Sequence, residues 1–368
     1  MRALLQGKVI LAPLTRGGNL PFRRLCKDFG ADITISEMAY AREVIKGRMR
    51  ERALLRKHPL EEVFGAQIAA CDPQNAVEAG LVAVECGASF VDLNAGCPIH
   101  EAVRRGMGAR LLKNTEGLRR ILEAMVSRLP VPVTVKLRTG WQENRTNLPE
   151  LGAIAREAGV AAIAVHGRSR EQRYTRAADW EAIARLVEQI DTPVIGNGDI
   201  LTYYEARHRW LHSGVTALMV GRGALIKPWI FQEIREAREL QPTAAERISI
   251  YHRLAGYFKE HFGADEMGRR LSMSFLPWHF SFFRRYRPLP EQPWEARSRV
   301  HPLLQTRFEE VEEVHPLEGL LRSPDPQAHE RIAETLWECA ESGEAVERLQ
   351  GLADDPTLAA PARTKAGK

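Results

Sequence analysis

The sequence predicts an α/β chain: a (β/α)8 TIM barrel followed by a C-terminal all-helical domain. Three observations carry this expectation. Eight short apolar, β-branched runs alternate with amphipathic helical stretches up to about residue 225. The turn after the first run, "APLTRGGNL", is not the GxGxxG that a doubly wound dinucleotide fold would place there. From about residue 240 the strand pattern stops and only helical periodicity continues.

The runs are, in order, "VILAPL", "ADITISEM", "EVFGAQIAA", "FVDLNAGC", "VPVTVKLRTG", "VAAIAVHGR", "TPVIGNGDI" and "TALMVGRGAL". Between them, "DPQNAVEAGLVAVECG" and "TEGLRRILEAMVSRLP" read as helices, with Asp72 and Thr115 placed to cap and Gly87 and Pro130 placed to stop. The helical part includes "AERISIYHRLAGYFKEHFG" and "RRLSMSFLPWHFSFFRRYRPLP", where the spacing of Phe275, Trp278, Phe280, Phe282 and Phe283 predicts the core of a helix bundle. The expected domains are residues 1–240 for the barrel, 241–350 for the helical module and 351–368 for a disordered tail.

Composition narrows the function classes. Residues 309–368 hold 6 basic and 14 acidic residues of the 52 and 47 in the chain, leaving 46 against 33, a body of net +13. Such a body suits a polyanionic partner. The five cysteines are odd in number and show no CxxC, which argues against a disulfide framework and a zinc site. The N-terminal apolar run is too short for a signal peptide and no stretch is long enough to span a bilayer. The expectation is a soluble cytoplasmic protein without a metal, a membrane or an obligate protein partner.

In a TIM barrel, chemistry sits at the C-terminal ends of the strands. Those ends read Pro13, Glu37, Gln67, Asn94 with Cys97, Lys136 with Arg138, His166 with Arg168, Asn197 with Gly198 and Asp199, and Gly221 with Arg222 and Gly223. Singly, each has a structural reading: Asn197 as a turn former, His166 as a satisfied core histidine, Lys136 as an ion-pair partner of Glu37. Together they suggest a site. "GNGDI" and "GRGAL" follow strands seven and eight, where this fold holds phosphates, and Arg222 is a fork suited to one. A mononucleotide cofactor follows. Flavin mononucleotide (FMN) fits better than pyridoxal phosphate, because Lys136 could face negative charge on a reduced isoalloxazine and Gln67 and Asn94 could bond its edge.

"APL", "GAQ", "DLNAGCP", "TVKLRTG", "HGRSREQRYT", "GNGDI" and "GRGAL", in this order over residues 8–235, resemble the motifs of the tRNA-dihydrouridine synthases. The wording is most similar to the eukaryotic class that modifies a variable-loop uridine. The resemblance implies an FMN enzyme that reduces the C5=C6 bond of uridine in folded tRNA, with NADPH as reductant. It implies Cys97 as the acid, Asn94, Arg138 and Tyr174 on the uracil, and Pro13, Gln67, Lys136, His166, Asn197, Gly198, Gly221 and Arg222 on the flavin. Arg168 is left between ligand contact and an ion pair. A thiol near its ordinary pKa of about 8.5 is mostly protonated at neutral pH, which suits an acid. Arg104, Arg105, Arg110, Arg284, Arg285 and Arg287 are the expected RNA contacts. A ribosomal RNA substrate, or a free metabolite reduced by an FMN barrel, are the alternatives.

Overall fold

The computed structural model describes residues 1–288, 291 and 314–354. Among the described residues nine parallel strands are present: β1 Lys8–Leu11, β2 Ile33–Ile35, β3 Ala39–Tyr40, β4 Phe64–Ala69, β5 Phe90–Ala95, β6 Val133–Arg138, β7 Ala162–His166, β8 Val194–Asn197 and β9 Ala217–Val220. The pairs β1 with β9, β1 with β2, and β2 with β4 close eight of them into the expected barrel.

The ninth, β3, was not expected. It resumes the wall of β2 after a break: Ile35 pairs with Gly65 and Ala39 with Ile68, so three residues, 36–38, face two, 66 and 67. The surplus residue behaves as a bulge, which breaks the ladder and re-aims side chains. Ser36 repairs it, its Oγ accepting from Gln67 N at 2.9 Å and donating to Glu37 O at 2.9 Å. Because "ADITISEMAY" is apolar on both sides of the break, periodicity alone could not reveal it.

Alternate residues of each strand face the barrel axis. At the N-terminal end these are Ile10, Ile33, Ile35, Phe90, Ala162, Ile195 and Ala217, packed with Leu5 from the helix Arg2–Leu5. Towards the C-terminal end the same faces turn polar: Phe90 gives way to Asp92 and Asn94, Thr134 to Lys136 and Arg138, Ala164 to His166, and Ile195 to Asn197. The buried apolar end anchors the strands, and the polar mouth rides on it.

Five of the helices around the barrel start on side-chain caps, from Asn19, Asp72, Asn114, Asp179 and Thr202, each stabilising by about 1 kcal/mol. Asp72 accepts from Asn75 N at 2.9 Å at the start of Pro73–Glu85, as expected. For Thr115–Arg128 the cap is Asn114, accepting from Gly117 N at 3.1 Å, and Thr115 is the first helical residue instead. The longer amide side chain reaches the N–H from one position earlier.

Two compact units emerge. The first holds residues 1–224 and 229–238, the second 225–228 and, among described residues, 239–288 and 314–354. The second is wholly helical: Ala244–Phe262, Glu266–Met273, Leu276–Phe283, Pro316–Arg322, Pro326–Glu338 and Ser342–Ala353. Its first long helix opens on a capping box of Thr243 and Glu246. Phe280 and Phe283 are buried, Tyr251 stacks on Phe283 at 4.3 Å and Phe258 on Phe275 at 5.8 Å, so the aromatic spacing does mark a core. The last helix runs to Ala353, inside the stretch expected to be a tail, and residues 355–368 lie outside the described residues.

Candidate active site

Every strand-end side chain that the sequence singles out belongs to the first unit. Lys136 is partly buried and donates to Asn197 Oδ1 at 3.2 Å, with Asn197 Nδ2 donating to Met219 O at 2.7 Å. Burial, with Arg138 beside it, pulls the Lys136 ammonium down to about 8. The ion pair with Glu37 that was the structural reading of Lys136 taken singly is not formed. Glu37 instead accepts the backbone N–H of Arg16 at 2.6 Å, and burial lifts its carboxyl above the ordinary range. Position around the barrel, which a linear reading does not contain, decides this.

Cys97 sits on the turn after β5. The turn is held from two sides: Asn94 Oδ1 accepts from Gly96 N at 3.2 Å and Cys97 N at 2.9 Å, and Arg138 Nε donates to Gly96 O at 2.8 Å. Arg138 Nη1 also donates to Ser169 O at 2.9 Å, bracing the turn against the loop after β7. Gly108 packs here. A Cβ on Gly108, whose φ is +59°, would come within 2.8 Å of Cys97 O. Burial pushes the Cys97 thiol up, against smaller opposing pulls from the Ile99 amide, Arg138 and Lys136, so it stays protonated at neutral pH.

Across the mouth, Asp199 (φ +51°) takes Arg168 Nη2 at 2.6 Å, Ala178 N at 2.8 Å and Arg222 Nη2 at 3.4 Å. Arg168 is fully buried and also donates to Arg176 O at 2.6 Å, which assigns it to the loop rather than to a ligand. Its Nη1 lies 3.3 Å from His166 Nε2, and since a guanidinium only donates, that nitrogen accepts and Nδ1 carries the ring proton. Burial and the surrounding cations hold His166 well below its ordinary pKa, hence neutral. Arg222 keeps Nη1 buried without a hydrogen-bond partner, while Tyr174, 40% exposed, lies over its guanidinium at 3.9 Å. Tyr174 is also 5.8 Å from Arg138 and 6.0 Å from His166.

The glycines divide differently from expectation. Gly198 (φ +138°) and Gly223 are needed, their Cβ atoms falling 2.5 Å from Ala178 Cβ and 2.0 Å from Ile200 O, whereas Gly221 would meet only ordinary contacts. Pro13 is partly buried at the exit of β1.

Lys136, Arg138, Arg168 and Arg222 thus stand against Asp92 and Asp199, an excess of cations with one guanidinium nitrogen unspent. Such a mouth suits an anionic ligand. The arginines expected to contact RNA are less free than the sequence suggests: Arg104 and Arg105 both bond Glu101, at 3.1 and 2.6 Å, and Arg287 Nη1 bonds two backbone carbonyls. Sequence reading missed Asp92, buried in mid-strand, and Thr134. A lone acid in "FVDLN" was their only signal.

Barrel and site together define a TIM-barrel protein with a cationic, thiol-bearing mouth. The chain belongs to the dihydrouridine synthase (Dus) family, whose pattern matches residues 10–301. It is 44% identical over 292 residues to the tRNA-dihydrouridine(47) synthase (NAD(P)(+))-like protein of Homo sapiens, covering 77% of this chain and 44% of that one. With the tRNA-dihydrouridine(47) synthase (NAD(P)(+)) of Coprinopsis cinerea it is 40% identical over 347 residues, covering 89% and 50%. The chain spans about half the length of the curated relatives it matches. Among solved structures, histamine dehydrogenase from Rhizobium sp. 4-9 shares the fold at a TM-score of 0.50 and 11% identity, over 68% of this chain and 49% of that one. Among the described residues no helix is long and apolar enough to cross a membrane and no His/Cys/Asp/Glu group could hold a metal.

Proposed function

We propose that the chain is a flavin-dependent tRNA-dihydrouridine synthase that reduces the C5=C6 bond of a variable-loop uridine, position 47 by the relatives' names, in the cytoplasm. The observation that carries the reading is a protonated thiol, Cys97, braced at a cationic barrel mouth in a member of this family. Residues 1–240 would form the catalytic domain and 241–350 the RNA-binding one.

The mouth fits flavin mononucleotide on its donor set: unspent Arg222 Nη1 for phosphate, and Lys136 for negative charge on the ring. Pro13, Gln67, His166, Asn197, Gly198 and Gly221 complete the set at the strand ends. A flavin held by these residues would supply the hydride, with NADPH as its source. The uracil gains hydride at C6 and a proton at C5; the proton leaves Cys97 Sγ, and water returns one to the thiolate. Asn94 retains one Nδ2–H after bonding Gln67, and Arg138 has N–H groups beyond those bonded to Gly96 O and Ser169 O, enough to hold the uracil edges beside Tyr174. Extruding a stacked uridine costs a few kcal/mol, which contacts to the RNA backbone must offset. Arg110, Arg284 and Arg285 are candidates.

Cys97→Ala tests the assignment. The variant should keep its FMN and its NADPH-driven flavin reduction and lose at least about 100-fold in tRNA reduction, the range a general acid supplies. A fully active variant refutes the role. Nucleoside mass spectrometry of RNA from a strain lacking the gene should show dihydrouridine missing from tRNA; loss from ribosomal RNA alone, or none, overturns the substrate.

A further inference from the structure

We infer that Asp92 is a positioning residue for Cys97, the acceptor on which a one-way chain of hydrogen bonds from the Cys97 turn has to end. The chain begins at two backbone N–H groups, those of Gly96 and Cys97, which can only donate. Asn94 must therefore turn Oδ1 to them, at 3.2 and 2.9 Å. That leaves its Nδ2 facing Gln67, which must answer with Oε1, at 2.8 Å. Gln67 is then left with Nε2 pointing down the barrel, and only an acceptor can sit there. Asp92 Oδ2 does, at 2.7 Å, and Thr134 Oγ1 donates to the other carboxylate oxygen at 2.6 Å.

Each amide has a single orientation that satisfies its neighbours, so one acceptor a layer beneath the mouth fixes two side chains and the turn that bears the thiol. Asp92 is 1% exposed, and an unpartnered donor at that depth is costly, so without this carboxylate the chain of hydrogen bonds would end on a strained or unpaired amide. The second N–H of Asn94, the second N–H of Gln67 and one Oε1 lone pair remain, all in fixed directions. Under the proposed function these are the groups offered to uracil and flavin.

The competing role for Asp92 is that of counter-charge to Lys136. Two substitutions separate them. Asp92→Asn removes the charge and keeps an oxygen for Gln67, with the Thr134 hydroxyl turning from donor to acceptor. Asp92→Leu removes charge and acceptor together.

Peptide-resolved hydrogen exchange and iodoacetamide labelling of Cys97 read the turn without depending on turnover. With Asp92→Leu, exchange at residues 96 and 97 and labelling of Cys97 should rise about tenfold, while exchange in β9 stays as in the parent; Asp92→Asn should stay within about threefold. tRNA turnover rests on the proposed function and should follow the same order, kcat falling about tenfold in the leucine variant only. Equal effects of Asn and Leu would make the charge decisive and overturn the inference; a silent leucine variant, or faster exchange throughout the barrel, would overturn it too. If the leucine variant does not fold, Gln67→Leu cuts the chain one link nearer the turn and must give the same local rise in exchange, or the inference fails. Turnover lost with exchange changed as expected leaves Asp92 as assigned, and turnover absent in the parent itself refutes only the enzyme's proposed substrate.

Discussion

Replacing Lys136 by methionine should stabilise the protein at neutral pH while abolishing its chemistry. Burial, with Arg138 close by, holds the ammonium at about 8 against an ordinary 10.5. At about 1.4 kcal/mol per pH unit, the charged form is destabilised by about 3 kcal/mol in the ligand-free fold. Methionine fills the same shape without charge but forfeits the bond to Asn197 Oδ1, worth about 1 kcal/mol, so the net gain is about 2 kcal/mol. The pH dependence gives the sign. Below about 8 the lysine is charged in both states and its full cost is present. Between about 8 and 10.5 the unfolded chain holds a proton that the folded chain has lost, so the parent gains stability as pH rises and the advantage of Lys136→Met shrinks. Urea denaturation of parent and variant at pH 7, 8, 9 and 10, compared at each pH so that common titrations cancel, measures this. A variant less stable than the parent at pH 7, or an advantage that does not decline towards pH 10, refutes the reasoning.

Arg222→Ala should weaken FMN retention by about 10- to 150-fold, from about 1.5–3 kcal/mol for a charge-assisted bond, because its buried Nη1 awaits an acceptor. Flavin fluorescence on dilution measures it, and unchanged retention would move the phosphate elsewhere. Asp199→Ala strands Arg168 without its carboxylate inside the protein and should cost about 3–5 kcal/mol, read as a lowered melting temperature; a loss below about 1 kcal/mol would show that the loop carbonyls suffice.

The strand ends were legible because a barrel repeats one rule: alternate residues face the axis, and the inward residues nearest the C-terminal end line the mouth. Gln67, Asn94, Lys136, Arg138, His166 and Asn197 all follow it. What the rule omits is azimuth. Lys136 and Glu37 both reach the mouth, yet nothing in a linear sequence tells whether β2 and β6 bring them together, and they are not paired. Arg168 escaped for a related reason. It lies past the end of β7, where sequence cannot distinguish a side chain aimed at a ligand from one turned back to Asp199. The glycines misled by position: "GRG" contains one residue that the backbone needs and one that it tolerates, and the approach of Ile200 O, from another loop, makes the difference.

Asp92 was overlooked because one acid in an apolar strand reads as an exception to the pattern rather than as its support. Its placement explains the charge of the whole mouth. Glu37 takes the Arg16 amide, and the two aspartates are spent on orientation, Asp92 on Gln67 and Thr134, Asp199 on Arg168 and the Ala178 amide. Neither is bonded to Lys136 or Arg138, and Asp199 reaches Arg222 at only 3.4 Å. Acids that neutralised those cations would leave no field for a ligand; acids that hold amides and a buried arginine leave the cations facing the mouth. The destabilisation at Lys136 and the unspent nitrogen of Arg222 are then two signs of one arrangement, in which the free energy withheld from folding becomes available when an anion binds.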